Sequence, residues 1–551
     1  MQRLFLVGLS GSGKTTVGRE AARLLGWEYV DTDELLAARS GMAVGQALVE
    51  YGEARFRELE TEALAKASEQ ERVVIATGGG AVIAEANRGL MQQRGLLVYL
   101  RAPVATAWER VQEQMRSGGA EAARPLLAGG DGLQRLQALF DARRQWYEAA
   151  PVQIETGEVL PDYAAKQVVT AAIARGYVTG QRAEISYSHE HPQVIVEWGG
   201  LHRLPQALQE AGFRHRVFIV TDSGVGGLFA EPVKALFDGA GMEPHIFTVP
   251  EGEASKSFEQ LRQILDWLID LHVERREPVV ALGGGVVGDL TGFAASCYLR
   301  GVPLVQVPTS LLAQVDSAIG GKTGINHPRG KNLVGAFYQP RLILVDPAVL
   351  LTLPERAYRE GWGEIVKYGM ILDAALFQSL EEHVPALLAR DPALLTQIIA
   401  RCIELKLAVV QSDERDGGLR NILNYGHTFG HALEAITGFS GAETWLHGEA
   451  VSLGMEVAAA IAVARGLLAH EDAVRQQALL QALGLPTTCA PVDIDAALAT
   501  IQRDKKVQDG RTRWVLPSRI GQVAMYNDVG AALVREAIAA VCSGEDAAWQ
   551  R

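Results

Sequence analysis

A short apolar run, Leu4 to Val7, stops at Gly8 and passes straight into GLSGSGKT (Gly8 to Thr15), after which a helical pattern opens with TTVGREAARLLG. This strand, glycine loop, helix order constrains the fold more than any other stretch. Glycines let backbone N–H groups wrap a phosphate, and the helix N-terminus adds favourable dipole charge. Lys14 reaches the outer phosphates in such a loop, and the Thr15 hydroxyl ligates Mg²⁺. The expectation is a parallel α/β unit that binds a nucleotide at its strand ends.

At 551 residues the chain holds more than one domain. Its formal net charge of -13 argues against a general nucleic-acid binder, because nothing resembles a basic stripe. Cys297, Cys402, Cys489 and Cys542 are scattered without a CxxC pair. That suits a reducing cytoplasm and argues against a disulfide framework or a zinc knuckle. The most apolar run, Val451 to Val463, is broken by Glu456 and followed by Arg465. It reads as a buried helix of a soluble protein with no membrane partner.

The first segment supplies groups for an acceptor as well as a nucleotide. Asp31 and Asp33 end a second short strand, where parallel sheets place their ligands. A third strand, VVIAT, ends in Gly78-Gly79-Gly80, a loop whose backbone a ligand can approach closely. Arg57 precedes it on a helix, Arg124 sits in a glycine-rich stretch that reads as a lid, and Arg143 and Arg144 follow on a late helix. Together these point to a small anionic acceptor. In order and spacing, GLSGSGKTT, DTD, the arginine of ARFRELE, GGG and RPLL resemble the shikimate kinase family across nearly all of residues 1 to 170. The resemblance implies that Gly11, Ser12, Gly13, Lys14, Thr15 and Thr16 cradle ATP, with Lys14 at the transferred phosphate. Thr15 and Asp31 would assist Mg²⁺, and Arg124 would cover the phosphates. Asp33, Arg57, Gly79 and Arg143 would hold shikimate, with Asp33 near the attacking hydroxyl. Where the family has a proline-leucine pair before its tyrosine, this chain has Gln145-Trp146 before Tyr147. Arg143 is preferred to Arg144 only by its distance from that tyrosine.

Residues 161 to 175 read as a closing helix, so the first domain is expected over 1–175 and a short linker over 176–183. Strands then alternate with helices again through RVFIVTD, HIFTVP and PVVALGGG, a Rossmann-like α/β layout expected over 184–353. Gly283 to Asp289, GGGVVGD, satisfies GxGxxG, yet it lacks the acidic residue usual for a dehydrogenase. Asp222, ending the strand RVFIVTD, is the better ribose acceptor, and Glu251 to Lys256 extend the cradle. Arg300 precedes a basic, glycine-rich run holding Asp316, Lys322, Lys331 and Asn332. From about 354 to 545 the pattern is helical. It includes Glu364 and Lys367, Lys406, RNILNYGHTFGHALE (Arg420 to Glu434), His447 and the Asp504-Lys505-Lys506 run.

At about 100° per residue, a single helix would put Arg420, Asn424, His427 and His431 on one face. Spacing alone gives both histidines to a metal, in the manner of helical HxxxH sites. The surrounding lysines and arginine ask instead for a phosphate and a carboxylate on one substrate. EGExxK, GGGVVGD, VPTSLLAQVDSAIGGKTGIN, GEIVKYG, RNILNYGHTFGHALE and LHGEAV resemble the 3-dehydroquinate synthase family over essentially the whole second segment. That resemblance implies Zn²⁺, or another divalent metal such as Co²⁺, on Glu364, His427 and His447. It implies NAD⁺ against Asp222, Glu251, Lys256, Gly285, Val286, Val287, Gly288, Asp289, Thr309, Ser310, Lys322 and Lys331. The heptulosonate phosphate would meet Arg300, Asp316, Lys322, Asn332, Lys367, Lys406, Arg420, Asn424 and His431. Of these, Asp316, Lys322, Lys367 and His431 are the expected catalytic groups, and either Lys505 or Lys506 is the late substrate lysine. The family's reaction oxidises with NAD⁺, eliminates phosphate, returns the hydride and closes a carbocycle. A different sugar-phosphate cyclase, a polyol dehydrogenase, and a first domain that only senses nucleotide are the competing expectations. A homodimer through the second segment is a further one.

Overall fold

The computed structural model describes residues 2–117, 127, 131–185, 192–414, 418–437, 445–503, 507–508 and 511–543. They form two compact units, Met1–Thr179 and Gly180–Arg551.

In the first unit, strands β1 (Arg3–Val7), β2 (Glu28–Asp31), β3 (Val73–Ala76), β4 (Leu96–Arg101) and β5 (Val152–Glu155) form one sheet in the order β2-β3-β1-β4-β5. Every pairing is parallel. Helices α1 (Lys14–Leu25), α2 (Thr32–Ser40), α3 (Val44–Ala67), α4 (Glu85–Arg94), α5 (Val104–Ser117), α6 (Gly132–Glu148) and α7 (Pro161–Ala174) connect and cover it. Strands buried on both faces read as continuous apolar runs. Leu4, Phe5, Leu6 and Val7 of the central strand are accordingly fully buried. Phe5, Leu64, Ile75, Leu97, Tyr99 and Tyr147 belong to one core. The central strand therefore delivers its C-terminal end, and the loop after it, at a fixed place.

In the second unit, β6 (Arg182–Ile185), β7 (Gln193–Glu197), β8 (Arg216–Asp222), β9 (Glu243–Val249), β10 (Val279–Gly283), β11 (Leu304–Pro308) and a later strand, Leu342–Val345, form a seven-stranded sheet. Only the β6–β7 edge is antiparallel. Helices α8 (Leu204–Glu210), α9 (Ser223–Gly239), α10 (Phe258–Asp270) and α11 (Gly285–Cys297) alternate with its strands. A hairpin, β12 (Lys322–His327) with β13 (Gly330–Phe337), projects before the strand Leu342–Val345, which is β14. Thereafter helices dominate: α12 (Glu355–Ile371), α13 (Ala374–Leu388), α14 (Pro392–Ser412), α15 (His427–Thr437) and α16 (His447–Ala464).

The apolar run expected as a buried helix lies in α16. That helix is long and apolar enough to cross a membrane, yet 72% of it is buried inside the protein. Its internal Glu456 is fully buried and accepts from Gln476 Nε2 at 2.8 Å, which satisfies a carboxylate that apolar packing would otherwise exclude.

The single helix expected from Arg420 through His431 does not form. Leu419–Asn424 is a 3₁₀ turn, Tyr425 and Gly426 break the chain, and α15 starts at His427. Gly426 takes φ +78°, and a Cβ there would lie 2.7 Å from the Val451 carbonyl oxygen of α16. Close packing on α16 and the left-handed turn both require glycine, so the regular spacing of polar residues runs across two elements.

Candidate functional site

The glycine loop of the first unit leaves the C-terminal end of β1. Gly8, Gly11 and Gly13 all take positive φ (150°, 82° and 92°), and a Cβ on Gly11 would sit 2.2 Å from the Ala107 carbonyl oxygen. The loop is thus a backbone cradle that only glycine permits. Lys14 Nζ donates to the Gly8 and Leu9 carbonyls, each at 2.9 Å, which holds it over the loop. The Thr15 hydroxyl donates to Asp31 Oδ2 at 3.2 Å, joining the two groups expected at Mg²⁺. Asp31 also caps α2 by accepting from the Asp33 N–H at 3.0 Å, so Asp33 is fixed at the start of that helix.

Around the Gly78–Gly80 loop, Arg143 Nη1 donates to the Gly79 carbonyl at 3.0 Å, and the Tyr147 hydroxyl donates to the same oxygen at 2.5 Å. Arg144 points elsewhere, to a solvent-exposed pair with Glu148 at 2.7 Å. Of the two adjacent arginines, Arg143 faces the glycine loop. Arg57 pairs with Glu60 at 2.9 Å, and a Cβ on Gly80 would strike its guanidinium. Glu60 was not singled out from sequence; it is buried, which pushes its carboxyl up against the opposing pull of Arg57 and Arg143. Its spacing of three from Arg57 on a helix was the available signal. Arg124 lies outside the described residues.

In the second unit, Asp222, Glu251, Gly283–Gly285 and Thr309-Ser310 all lie where parallel strands β8 to β11 end. Asp222 caps α9, accepting from Gly224 and Val225 N–H at 2.9 and 2.8 Å. Gly284 precedes α11, whose N-terminal turn carries Gly285, Val286, Val287 and Gly288, and Asp289 follows. Lys256, also buried, donates to Asp289 at 2.7 Å and to Asn332 Oδ1 at 2.6 Å. Asn332 takes φ +53° on β13, next to Lys331, whose Nζ pairs with Glu434 at 3.0 Å. Arg300, at φ +65°, and Lys322, which opens β12, are both exposed.

The helical part brings together Glu364 from α12, His427 at the start of α15 and His447 at the start of α16. Glu364 Oε1 lies 3.5 Å from His427 Nε2 and 3.7 Å from His447 Nε2. Glu364 is fully buried, and that oxygen has no hydrogen-bond partner. An orphaned buried carboxylate oxygen facing two imidazole nitrogens is a set that could hold a divalent metal. The His427 Nδ1–H donates to the Tyr425 carbonyl at 3.0 Å, which leaves Nε2 as the lone-pair nitrogen facing Glu364. Burial works against charging His447, but Glu434, Glu364 and Glu360 outweigh it and raise its pKa to about 9.

Basic groups border this triad. Lys367 donates to the other oxygen of Glu364, while Lys406 donates to Asp316 Oδ1 at 2.8 Å. The Tyr368 hydroxyl donates to the same oxygen at 2.9 Å. Burial would raise Asp316, yet Lys406 and Lys367 hold its carboxyl well below the usual range. Burial also draws Lys406 down to about 8, against Asp316. Arg420 is buried with its guanidinium on the Gly320 carbonyl at 3.0 Å and the Glu414 carbonyl at 2.6 Å. His431 is exposed on α15, its ring centroid 5.3 Å from His427 and 6.0 Å from His447. Glu434 belongs with these groups and was missed, because HALE reads as an ordinary amphipathic helix. Lys505 and Lys506 lie outside the described residues.

Comparison with known proteins matches the residues of both units to families. Residues 10–173 match the family model for shikimate kinase. Residues 246–360 match that for the 3-dehydroquinate synthase N-terminal region, and 361–507 that for its C-terminal region. The 3-dehydroquinate synthase of Prochlorococcus marinus (strain MIT 9303) is 45% identical over 367 residues, 66% of this chain and 97% of that protein. Among solved structures, 2-epi-5-epi-valiolone synthase from Streptomyces hygroscopicus subsp. jinggangensis, with NAD⁺ and Zn²⁺ bound, is 31% identical. It covers 67% of this chain and 99% of its own, with a TM-score of 0.60. A 2-deoxy-scyllo-inosose synthase complexed with carbaglucose-6-phosphate, NAD⁺ and Co²⁺ is 29% identical, covering 65% of this chain and 99% of its own at a TM-score of 0.59.

The fold and its sites define a kinase unit followed by a cyclising lyase unit, two enzymes in one chain. The chain belongs to the 3-dehydroquinate synthase family, with a shikimate kinase domain ahead of it, and is a bifunctional enzyme of the shikimate pathway.

Proposed function

We propose that the first unit transfers phosphate from ATP to shikimate and that the second converts 3-deoxy-D-arabino-heptulosonate 7-phosphate to 3-dehydroquinate and phosphate. In the kinase unit, the N–H groups of the glycine loop and Lys14 bind the ATP phosphates, and Thr15 with Asp31 serves Mg²⁺. Arg57 and Arg143 take the shikimate carboxylate, while Asp33 holds the hydroxyl that attacks. Phosphoryl transfer asks mainly for positioning and charge neutralisation, which these groups supply.

In the synthase unit, Glu364, His427 and His447 hold zinc, and the strand ends from Asp222 to Ser310 hold NAD⁺. When bound, zinc polarises an oxygen and NAD⁺ accepts and returns a hydride. The chain's own groups then bind and orient the substrate. Lys367, Lys406 and His431 face its phosphate side, Arg420 and Asn424 its carboxylate, and Asp316 fixes Lys406. The single observation carrying this reading is the buried Glu364 oxygen between two imidazole nitrogens. The proposal extends to a cytoplasmic enzyme that pairs through its synthase unit, recognises small anions and binds no nucleic acid; four free cysteines suit that compartment.

The test supplies the purified chain with the heptulosonate phosphate and less than one equivalent of NAD⁺, and separately with shikimate, ATP and Mg²⁺. The expected result is many phosphates released per NAD⁺ without net NADH, and ADP formed only with shikimate. Stoichiometric NADH would make the second unit a polyol dehydrogenase. Equal turnover of a sugar phosphate lacking the carboxylate would make it a different cyclase. Absence of ADP formation would leave the first unit a nucleotide sensor.

A further inference from the structure

The two histidines at the metal site are oriented by different means. His427 is held locally, its Nδ1–H on the carbonyl of Tyr425 two residues earlier. His447 opens α16, and the group facing its Nδ1 is a carboxylate from another helix. Glu434 Oε2 lies 3.7 Å from His447 Nδ1, while its Oε1 accepts from Lys331 Nζ at 3.0 Å. Glu434 is buried, so its charge has no bulk solvent to rely on. The opposite nitrogen of the same ring, Nε2, faces Glu364. One imidazole thus stands between two carboxylates, one on the metal side and one behind it.

Resting on the zinc assignment above, we infer that Glu434 is the positioning residue for His447. It accepts a hydrogen bond from the Nδ1–H, aims Nε2 at the metal, and ties that ligand through Lys331 to the β12–β13 hairpin that borders the dinucleotide side. A carboxylate behind a ligating imidazole fixes its tautomer and raises its basicity. The 3.7 Å separation exceeds a hydrogen bond, and a movement of about half an ångström closes it. Glu434 could instead ligate a metal itself, together with His431 and His447. That arrangement would use Nδ1 of His447, compete with Lys331 for the carboxylate and leave the Glu364 oxygen orphaned. The positioning role satisfies every one of these groups.

The experiment measures zinc dissociation constants by chelator competition on the full chain, for wild type, Glu364→Ala, Glu434→Gln, Glu434→Asp and Lys331→Met. The melting of the metal-free proteins reports on folding of the second unit. The expected result is that E434Q weakens zinc by about 10- to 100-fold without abolishing it. E434D, which keeps the charge, recovers part of the loss. K331M, which releases Glu434 from the hairpin, weakens zinc by less than E434Q, and zinc affinity equal to wild type there overturns the tie through Lys331. An E434Q protein with wild-type zinc affinity overturns the inference, and so does one that loses zinc as completely as E364A, which would make Glu434 a ligand. If E434Q fails to fold, E434D decides alone: zinc binding equal to wild type at every pH then counts against a geometric role. Wild-type zinc affinity in E364A would instead remove the underlying metal assignment, a result distinct from either.

Discussion

The nucleotide loop of the first unit and the metal site of the second are built in opposite ways. The loop is six contiguous residues, Gly8 to Gly13, between a buried strand and a helix, and its shape is held by glycines at positive φ. The proposed metal triad draws single residues from three helices, Glu364, His427 and His447, and exists only once those helices pack. A local site is fixed by backbone chemistry, so substitutions in it act nearby. A site assembled by packing needs orienting groups, and its geometry reaches as far as Tyr425, Glu434 and Lys331.

The largest effects should come from the assembled site. Glu364→Ala or His427→Ala should lose zinc and reduce cyclisation by roughly a thousandfold or more, equivalent to several kcal/mol of charge stabilisation, with kinase turnover unchanged. Metal analysis alongside both assays checks this, and equal loss from both activities would erase the distinction between the two sites.

Next, Lys14→Ala should lower kinase turnover by roughly 10²- to 10³-fold, the cost of one preorganised cationic donor, and leave phosphate release from the heptulosonate intact.

His431→Ala sharpens the comparison within α15. It should keep its zinc and lose about 10- to 100-fold in kcat/KM, the worth of a charge-assisted hydrogen bond. Zinc loss matching that of H427A would restore the HxxxH reading.

A pH effect of similar kind should follow from Lys406, whose pKa is drawn down to about 8. The cation predominates below that value and is lost above it, so anion binding weakens as pH rises through about 8. The kcat/KM profile should fall on its alkaline limb there, and Lys406→Arg should move that limb upward. An unmoved limb would assign it to another group.

The smallest contrast lies between neighbours: Arg143→Ala should raise the KM for shikimate by about 10- to 100-fold, whereas Arg144→Ala, exposed and paired only with Glu148, should change it little.

What the sequence made legible follows the same division. The strand, loop and helix around Lys14 could be read directly, because each local rule pointed the same way. The alternation of strands and helices through β8 to β11 was legible too, whereas Asp222, read as a ribose acceptor, was not recognised as the cap of α9. The metal triad came from resemblance, since nothing in the spacing of 364, 427 and 447 expresses their proximity. The regular Arg420, Asn424, His427, His431 series suggested one helix, but packing of Gly426 on α16 overrode that period. The signal was present as a glycine just before His427. Glu60 and Glu434 went unremarked because acidic residues on helices are usually solvated, and only burial against Arg57 or His447 distinguishes them.

Metal stripping tests the central claim most directly. The full chain is treated with a zinc chelator, freed of it, and assayed for both activities with Mg²⁺ supplied. Cyclisation should disappear and return with one equivalent of zinc, while shikimate-dependent ADP formation stays at its original rate throughout. Undiminished cyclisation by the stripped protein, or a kinase that falls and recovers with zinc, would contradict two independently built sites in one chain.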